Sequence, residues 1–181
     1  GSPTAIVGPF GQRTLLAANA DGFLEHIISP AGEVVQFVCT ADGLLTKMTD
    51  PRGHTSLYAF DLLGRLTSAT DPTGATKTLA RSGTHRDHTV TLTSALGRAA
   101  TYRVERLATG DVRLTNTNSA GLQAQVLLGQ NGSQSATFPD GTRIDLTLGP
   151  DPRWGMQAPV VTSMTMRTPG GRVYTKTSQR T

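Results

Sequence analysis

Cysteine, tryptophan and the other aromatic residues are scarce in this chain. Its 181 residues include one cysteine and one tryptophan, and aromatic residues make up 5%. A single cysteine excludes an internal disulfide framework, so we expect Cys39, in an apolar stretch, to be a small hydrophobic side chain. No apolar run is long enough to span a bilayer, and no secretory signal sequence is present. The composition therefore indicates neither a disulfide scaffold nor a membrane-spanning protein.

The familiar catalytic motifs are also absent. The chain has no Gly-x-Ser-x-Gly elbow, no P-loop and no His-Glu-x-x-His motif. His85 and His88 are the only close pair of histidines, and a turn could align them for a metal ion. Two ligands are too few for a site of this kind, and the polar surroundings favour a solvated hairpin tip. We expect no enzyme activity, metal or cofactor.

Three aspartates near the C-terminus could be read as paired carboxylates for glycoside hydrolysis. Asp140 and Asp151, however, stand in turn sequences, where an aspartate caps backbone N–H groups. Asp145 alternates with Ile144 and Leu146, so it belongs on the polar side of a strand. The structural interpretation is the favoured one for all three.

Positive charge exceeds negative charge, but the basic residues are dispersed. The chain has 14 Arg and 3 Lys against 10 Asp and 3 Glu, for a net charge of +4. Basic proteins can bind nucleic acid, yet here the arginines occur singly and few aromatic residues could stack on bases. We expect no nucleic-acid partner.

Threonine, glycine and proline dominate the composition. The chain has 28 Thr, 20 Gly and 10 Pro. Branching at Cβ favours strands over helices, whereas Gly and Pro are spread along the chain at turn positions. The sequence therefore predicts an all-β protein with almost no helix.

Turn sequences recur every 21 residues between residues 15 and 80. One series carries Pro at its second position: Ser29-Pro30-Ala31-Gly32, Asp50-Pro51-Arg52-Gly53 and Asp71-Pro72-Thr73-Gly74. A second series lies between: Asn19-Ala20-Asp21-Gly22, Thr40-Ala41-Asp42-Gly43 and Asp61-Leu62-Leu63-Gly64. Turns alternating every 10 or 11 residues predict an antiparallel meander with two strands per repeat. A fixed period of this size is typical of stacked repeats that bury apolar faces against their neighbours.

We assign the residues of these turns, and two residues of a later turn, to a structural role. They are Asn19, Gly22, Pro30, Gly32, Gly43, Asp50, Pro51, Gly53, Asp61, Gly64, Asp71, Pro72, Gly74, Pro139 and Gly141.

Alignment of the repeats brings like residues into columns. The columns are Phe37, Tyr58 and Leu79; Leu24, Leu45 and Leu66; and Ile27, Met48 and Ala69. The last two columns stand three residues apart, which strict alternation would place on opposite faces of the sheet. Either both faces are partly covered or a β-bulge after the Gly restores the parity, and the bulge is the favoured interpretation.

Outside the regular repeats the pattern is weaker. Residues 1–14 are expected to be a lead-in that starts with a tag remnant, Gly1-Ser2, and residues 81–135 to hold degenerate hairpins. Residues 136–181 are expected to hold C-terminal hairpins interrupted by a Gly/Pro-rich ordered loop at 149–159.

That loop carries two candidate binding residues, Arg153 and Trp154. They could form a sugar-stacking platform or a protein-contact anchor, because Trp and Arg dominate interface hot spots. The alternative, which is favoured, is a loop that folds its Trp over an open sheet edge. Tyr58 is the third residue of the candidate binding surface.

The segment Tyr58-Ala59-Phe60-Asp61-Leu62-Leu63-Gly64-Arg65-Leu66-Thr67 resembles the YD-repeat, or Rhs-repeat, family. The family signature is Tyr-x-Tyr-Asp-x-x-Gly-Arg-Leu followed by a Thr-rich strand and a turn. Phe60 replaces the second Tyr here, and in the preceding repeat Cys39 and Thr40 stand where Phe60 and Asp61 would be. The match is specific over residues 15–80.

This resemblance implies a shell architecture. Members wind β-hairpins into a hollow spiral that encloses an effector domain in bacterial toxins and stands on the cell surface in teneurins and wall-associated proteins. Bacterial shells often end in a plug with an aspartyl self-cleavage site, and no such motif is visible here, so no catalytic residue is transferred.

The sequence thus predicts stacked antiparallel β-hairpins in a curved sheet or partial spiral shell. The expected function is a non-catalytic module that encapsulates or presents a toxin domain; the alternative is an extracellular carbohydrate-binding or adhesion module. Expected partners are neighbouring repeats of a longer parent chain, an enclosed toxin domain, glycans in the alternative, and a second copy through exposed strand edges. The resemblance places the parent protein outside the cell or at its surface.

Overall fold

The computed structural model describes residues 4–179, so the expected tag remnant Gly1-Ser2 lies outside the described residues. These residues form sixteen β-strands and contain no helix. The all-β prediction is confirmed.

The strands have the following bounds: β1 Ala5–Val7, β2 Arg13–Ala18, β3 Leu24–Ile28, β4 Val34–Cys39, β5 Leu45–Thr49, β6 Thr55–Phe60, β7 Leu66–Thr70, β8 Thr76–Gly83, β9 His88–Thr93, β10 Ala99–Arg106, β11 Val112–Thr117, β12 Gln123–Leu128, β13 Ser133–Thr137, β14 Arg143–Asp151, β15 Gly155–Arg167 and β16 Val173–Thr177.

Strand order in the sheet follows chain order from β1 to β16, and the described pairings are antiparallel. The chain divides into two compact units. The first unit holds the residues up to Leu79 together with Thr93–Gly97, and the second holds Ala80–Leu92 and the residues from Arg98 onward. The strict 21-residue spacing belongs to the first unit, which is built from neighbouring hairpins throughout.

One backbone geometry closes nearly every hairpin. In the Asp61 turn, Asp61 N donates to Arg65 O at 2.9 Å and Gly64 N donates to Asp61 O at 2.9 Å. Gly64 has a φ of +73°, and no described residue other than glycine has a positive φ. This is a type I turn followed by a left-handed residue, the three-residue hairpin loop whose twist suits antiparallel strands.

The same pair of backbone bonds recurs at intervals of 11 and 10 residues in the first unit. The turns begin at Gly8, Asn19, Ser29, Thr40, Asp50, Asp61 and Asp71. The turn at Gly8 falls in the same spacing but escaped the sequence prediction, which took residues 1–14 as a lead-in. That prediction is wrong for residues 5–14, because β1 and the Gly8 turn form a hairpin with β2.

The alternating interval has a structural cause, a bulge in every second hairpin. The register slips between Ala17 and Ala18, between Val38 and Cys39, and between Ala59 and Phe60. Across each slip one residue of the following strand has no direct partner, and these residues are Glu25, Thr46 and Thr67. The extra residue makes the repeat odd-numbered without turning its side chains over.

The bulge confirms the interpretation of the three-residue column offset. Cys39 pairs with Leu45 and Phe37 pairs with Met48, so Leu45 and Met48 share a face despite their spacing. Thr46 Oγ1 donates to Val38 O at 3.0 Å, and Thr67 Oγ1 donates to Ala59 O at 3.1 Å. In these two bulges a threonine hydroxyl therefore bonds a carbonyl of the opposite strand.

The prediction of a loop at 149–159 is wrong, because most of this segment is β-strand. β14 runs through Asp151 and β15 begins at Gly155, so this segment is a hairpin with a short tip. Neighbouring strands stop earlier, since β13 pairs only as far as Thr147 and β16 only as far as Ser163. Prolines are tolerated at strand edges because no neighbour there needs their missing N–H.

Neighbouring tips in the first unit pack through an apolar side chain set against a turn glycine. A Cβ built on Gly43 would lie 2.5 Å from Cε1 of Phe23, whereas one built on Gly53 would meet nothing within 4 Å. Both glycines have a positive φ, of 85° and 83°.

We expect Gly43→Ala to destabilise the fold more than Gly53→Ala. Both substitutions place an L-residue in the left-handed region, which costs about 1–2 kcal/mol. Gly43→Ala also drives a methyl group into the Phe23 ring, and overpacking adds about 1–3 kcal/mol. Urea unfolding followed by circular dichroism measures the difference, and equal losses in the two variants would contradict the packing argument.

Candidate interaction surfaces

Within the first unit, one face of the sheet gathers the apolar columns. Phe37 pairs with Met48 and Tyr58 pairs with Ala69, and the bulge brings Leu66 to the same face. All five side chains are half-buried. Aromatic and aliphatic cross-strand neighbours of this kind stabilise a sheet by about 0.2–1 kcal/mol per pair.

The second unit has two faces of opposite character. One row crosses six strands of the apolar face: Val104, Leu114, Val126, Ala136, Ile144 and Met166. The adjacent row, one residue earlier or later on each strand, faces the other way: Arg103, Thr115, Gln125, Thr137, Arg143 and Arg167. Alternation along the strands separates the apolar row from a polar row.

Ion pairs line the polar face, and one of them joins neighbouring strands. Asp145 accepts from Arg143 Nη2 at 2.8 Å and from Arg167 Nη1 at 2.7 Å on the next strand. Arg103 Nη2 lies 2.9 Å from Glu105 Oε1 beside an open groove of about 370 Å³. Asp145 is thus a structural ion-pair partner here, as the alternation of its strand indicates.

No hydrophobic residue among those described is buried. Thr115, on the polar face of the second unit, is only 8% exposed and is the one described polar residue that is buried. In each unit, therefore, the side chains of the sheet rest only on their neighbours in the same layer.

Turn aspartates hold their own hairpins. Asp61 Oδ1 accepts from Leu63 N at 2.9 Å and from Arg65 N at 3.0 Å, and Arg65 Nη2 lies 2.7 Å from Asp61 Oδ2. Hydrogen bonds from the Arg65 backbone and side chain lower the pKa of Asp61 below its ordinary value of 3.8. The sequence Asp-x-x-Gly-Arg of the YD signature is therefore a self-contained turn lock.

Three more turn aspartates behave alike. Hydrogen bonds from Thr73 lower the pKa of Asp71, and hydrogen bonds from the Thr142 backbone and side chain lower the pKa of Asp140. The pKa of Asp50 is also lowered: desolvation raises it, but the hydrogen bonds from His54 and Arg52 outweigh that effect. Asn19 and Asn118 use their amide oxygens to accept the same two backbone N–H groups in their turns. An asparagine can replace the backbone-capping role of the aspartate but not its ion pair.

The candidate binding residues Arg153 and Trp154 lie at the tip of the β14–β15 hairpin. Asp151 Oδ1 accepts from Arg153 N at 2.8 Å and from Trp154 N at 3.2 Å, which fixes the tip. Trp154 is 63% exposed and lines an open groove of about 730 Å³ with Pro152 and Pro159. Much of the indole is therefore accessible at this tip, and the choice between a binding role and a structural role stays a prediction.

Tyr58 lies in the first unit, whereas Arg153 and Trp154 lie in the second. Its strand lines an open groove of about 780 Å³ with Phe60 and the exposed Leu62 and Leu63 of the following turn. The structure does not join the three residues into one described surface.

The histidine pair stands at the tip between β8 and β9, as expected for a hairpin tip. No group of three metal-ligating side chains exists among the residues that the structure describes. Instead, His85, Arg86 and His88 share an open groove of about 570 Å³ with Arg106 of β10. Sequence reasoning missed this grouping because Arg106 is remote in the chain; the hairpin spacing was the available signal.

We expect acid to weaken the fold through Asp61. A carboxyl group whose pKa is lowered on folding contributes its stability above the ordinary value of 3.8, and that stability is lost as the pH falls through the folded-state value. Asp61→Asn keeps the backbone acceptor but removes the ion pair, so it should lower the melting temperature near neutral pH and show a smaller further loss in acid. Asp21→Asn, in a turn without such a pair, is the control. Equal acid sensitivity of wild type and Asp61→Asn would contradict this role.

A comparison with family profiles identifies one family. The profile of the Teneurin YD-shell family matches residues 5–172. No curated protein sequence matches the chain significantly. No helix in the described part of the chain is long and apolar enough to cross a membrane.

Solved structures share the fold at low sequence identity. The crystal structure of TcdB2-TccC3-Cdc42 superposes with a TM-score of 0.63 at 14% identity, covering 92% of this chain and 10% of that chain. The Tc holotoxin pore of Photorhabdus luminescens, with a mutated TccC3, gives a TM-score of 0.63 at 13% identity, covering 94% and 10%. The chain thus spans about a tenth of the length of these structural relatives. Since the profile match covers nearly the whole sequence, this chain belongs to the teneurin YD-shell family.

Proposed function

We propose that this chain is a wall segment of a YD-repeat shell that encloses or presents an effector domain in a longer parent protein. The segment acts by exclusion: a continuous sheet separates two volumes, so a domain on one side does not meet partners on the other. It contributes a barrier and no reactive side chain. The membership of this chain in the YD-shell family supports the proposal. The parent protein of the chain would act outside the cell or at the cell surface.

The exposure of apolar side chains on the strands is the observation that carries the proposal. Val38, Leu57 and Tyr102 are 52%, 49% and 44% exposed. No described hydrophobic residue is buried. A sheet with this much uncovered surface is suited to a larger assembly, in which further chain completes what its own residues leave open.

The two edge strands of the sheet indicate that further hairpins of the parent chain are the partner. Among the described strands, β1 and β16 each have a neighbour on one side only. Unpaired N–H and C=O groups along an edge accept another strand readily. We infer that neighbouring hairpins of the parent chain continue the sheet at both ends, while in an isolated chain the same edges would pair two copies.

Cysteine labelling on opposite faces tests the barrier. Ala124 and Gln125 are adjacent in β12 and point to opposite faces, and Cys39→Ser removes the natural thiol. We expect a bulky PEG-maleimide to react with only one of Ala124→Cys and Gln125→Cys in the native parent protein, with at least about tenfold different rates.

Two controls complete this experiment. The 181-residue chain alone should react at both positions, and a small maleimide reports the intrinsic reactivity of each thiol. Similar PEG-maleimide rates for the two cysteines in the parent protein would sink the encapsulating role, because then neither face is closed off.

A second candidate function is adhesion or carbohydrate binding at the β14–β15 tip. The exposure of Trp154, together with its groove and the adjacent Arg153, favours this alternative. An exposed indole offers an apolar face and a polar N–H, a combination suited to sugar rings and to protein contacts. The two functions are compatible, since the tip would protrude from a wall.

A glycan array checks the second candidate. We expect any reproducible binding by the wild type to fall at least about tenfold in Trp154→Ala, because hot-spot aromatic residues contribute about 2 kcal/mol or more. Phe10→Ala is a matched control, since Phe10 is an aromatic residue of another hairpin turn and is 89% exposed. No binding, or equal losses in the two variants, would remove the tip from consideration as a glycan site.

A further inference from the structure

The groove at the β8–β9 tip gathers positive charge from two separate parts of the chain. His85 and Arg86 lie in the tip, His88 begins β9, and Arg106 ends β10. All four line the same open groove of about 570 Å³. Its remaining lining residues are Val104 and Val112, so no carboxylate lines it.

Hydrogen bonds hold this tip in one arrangement. Thr84 N donates to Asp87 O at 2.7 Å, and Asp87 N donates to Thr84 Oγ1 at 3.0 Å. Arg81 Nη2 donates to Thr84 O at 2.8 Å from the preceding strand. The backbone that carries His85 and Arg86 is therefore fixed by its neighbours before any ligand arrives.

The nearby carboxylates are engaged elsewhere. Asp87 Oδ1 accepts from Arg106 N at 2.6 Å, which also ties the tip to β10. Asp111, beside Val112, accepts from Gln130 N at 3.1 Å and from Thr109 Oγ1 at 2.9 Å. Glu105 pairs with Arg103 at 2.9 Å.

The cations of the groove have no such partners. Among the described residues, no ion pair or side-chain hydrogen bond involves the guanidinium group of Arg86 or of Arg106. Other arginines of the same unit, such as Arg143 and Arg167, are paired with a carboxylate. Nδ1 of His88 is shielded from solvent and has no hydrogen-bond partner.

We propose that this groove is a binding site for a tetrahedral oxyanion, a sulfate or phosphate group carried by a ligand. Arg86 and Arg106 supply charge-assisted hydrogen bonds, which are the strong ones with such anions. His85 and His88 line the same groove and can supply further N–H donors from their rings. Val104 and Val112 form an apolar floor under the anion-binding groups. This site does not depend on whether the chain encloses a domain.

The site is tested by titrating the 181-residue chain with sodium sulfate at constant ionic strength, with NMR amide shifts as the readout. Sulfate is the probe because it is a tetrahedral dianion. We expect saturable shifts confined to residues 84–88, 104–106 and 112, with acetate producing far smaller shifts. Shifts spread over all arginine-bearing turns would overturn the proposal, because they indicate general screening.

Variants assign the residues. Arg86→Gln with Arg106→Gln should weaken sulfate binding at least about tenfold, since each charge-assisted bond contributes substantially. Arg52→Gln is the matched control, because Arg52 is an exposed turn arginine without an ion pair. Arg86→Gln alone, at an exposed tip position, keeps the test valid if the double variant fails to fold. Unchanged affinity in Arg86→Gln and in the double variant would refute the site.

A histidine variant and the choice of ligand complete the test. His85→Ala with His88→Ala should weaken sulfate binding at a fixed pH, because the ring N–H donors are lost. Unchanged affinity in that variant would remove the histidines from the site. A sulfated monosaccharide and glycerol phosphate then distinguish the two sources of the oxyanion: binding of either supports the site, and binding of neither overturns it.

Discussion

A glycine in the left-handed region at the fourth position of nearly every turn is the constraint on which this structure depends. With one residue at positive φ, a type I turn can deliver the chain back antiparallel to itself with the twist that a sheet requires. No described residue other than glycine adopts such a φ. Because nearly every hairpin uses this same short loop, each strand lies beside the strand before it, and the sheet order follows the chain order.

Parity is the second constraint, and the bulges satisfy it. A repeat of 21 residues is odd, so alternation alone would invert the faces of the sheet from one repeat to the next. One unpaired residue after every second turn, such as Thr46 or Thr67, absorbs the difference. The threonine hydroxyl then bonds a carbonyl across the ladder. The abundance of threonine in the chain thus serves the bulges as well as the strands.

The bulges keep each apolar column on one face of the sheet. Since neither unit has a second layer, side chains contact only their neighbours on the same face of the sheet. Hydrophobic residues are consequently half-buried at best among the described residues. The turn aspartates and the ion pairs of Asp145 hold individual hairpins, and the bond from Arg106 N to Asp87 connects the β8–β9 tip to β10. Such local contacts let the module be extended by further hairpins without rearrangement, as repeat architectures permit.

The amino-acid sequence by itself determined the strands, most turns and the bulges, because each depends on residues within one hairpin. The spacing of Leu45 and Met48 already favoured a bulge, and Asp61 to Gly64 already specified a turn. Local signals were insufficient elsewhere. The Gly8 turn has the right spacing but lacks an aspartate cap, and the prolines of 149–159 looked like strand breakers until the absence of neighbours made them harmless. Only the tertiary structure placed Arg106 beside His85 and exposed Trp154, because these outcomes depend on which strands end where, and a sequence encodes that only through the register of the whole sheet.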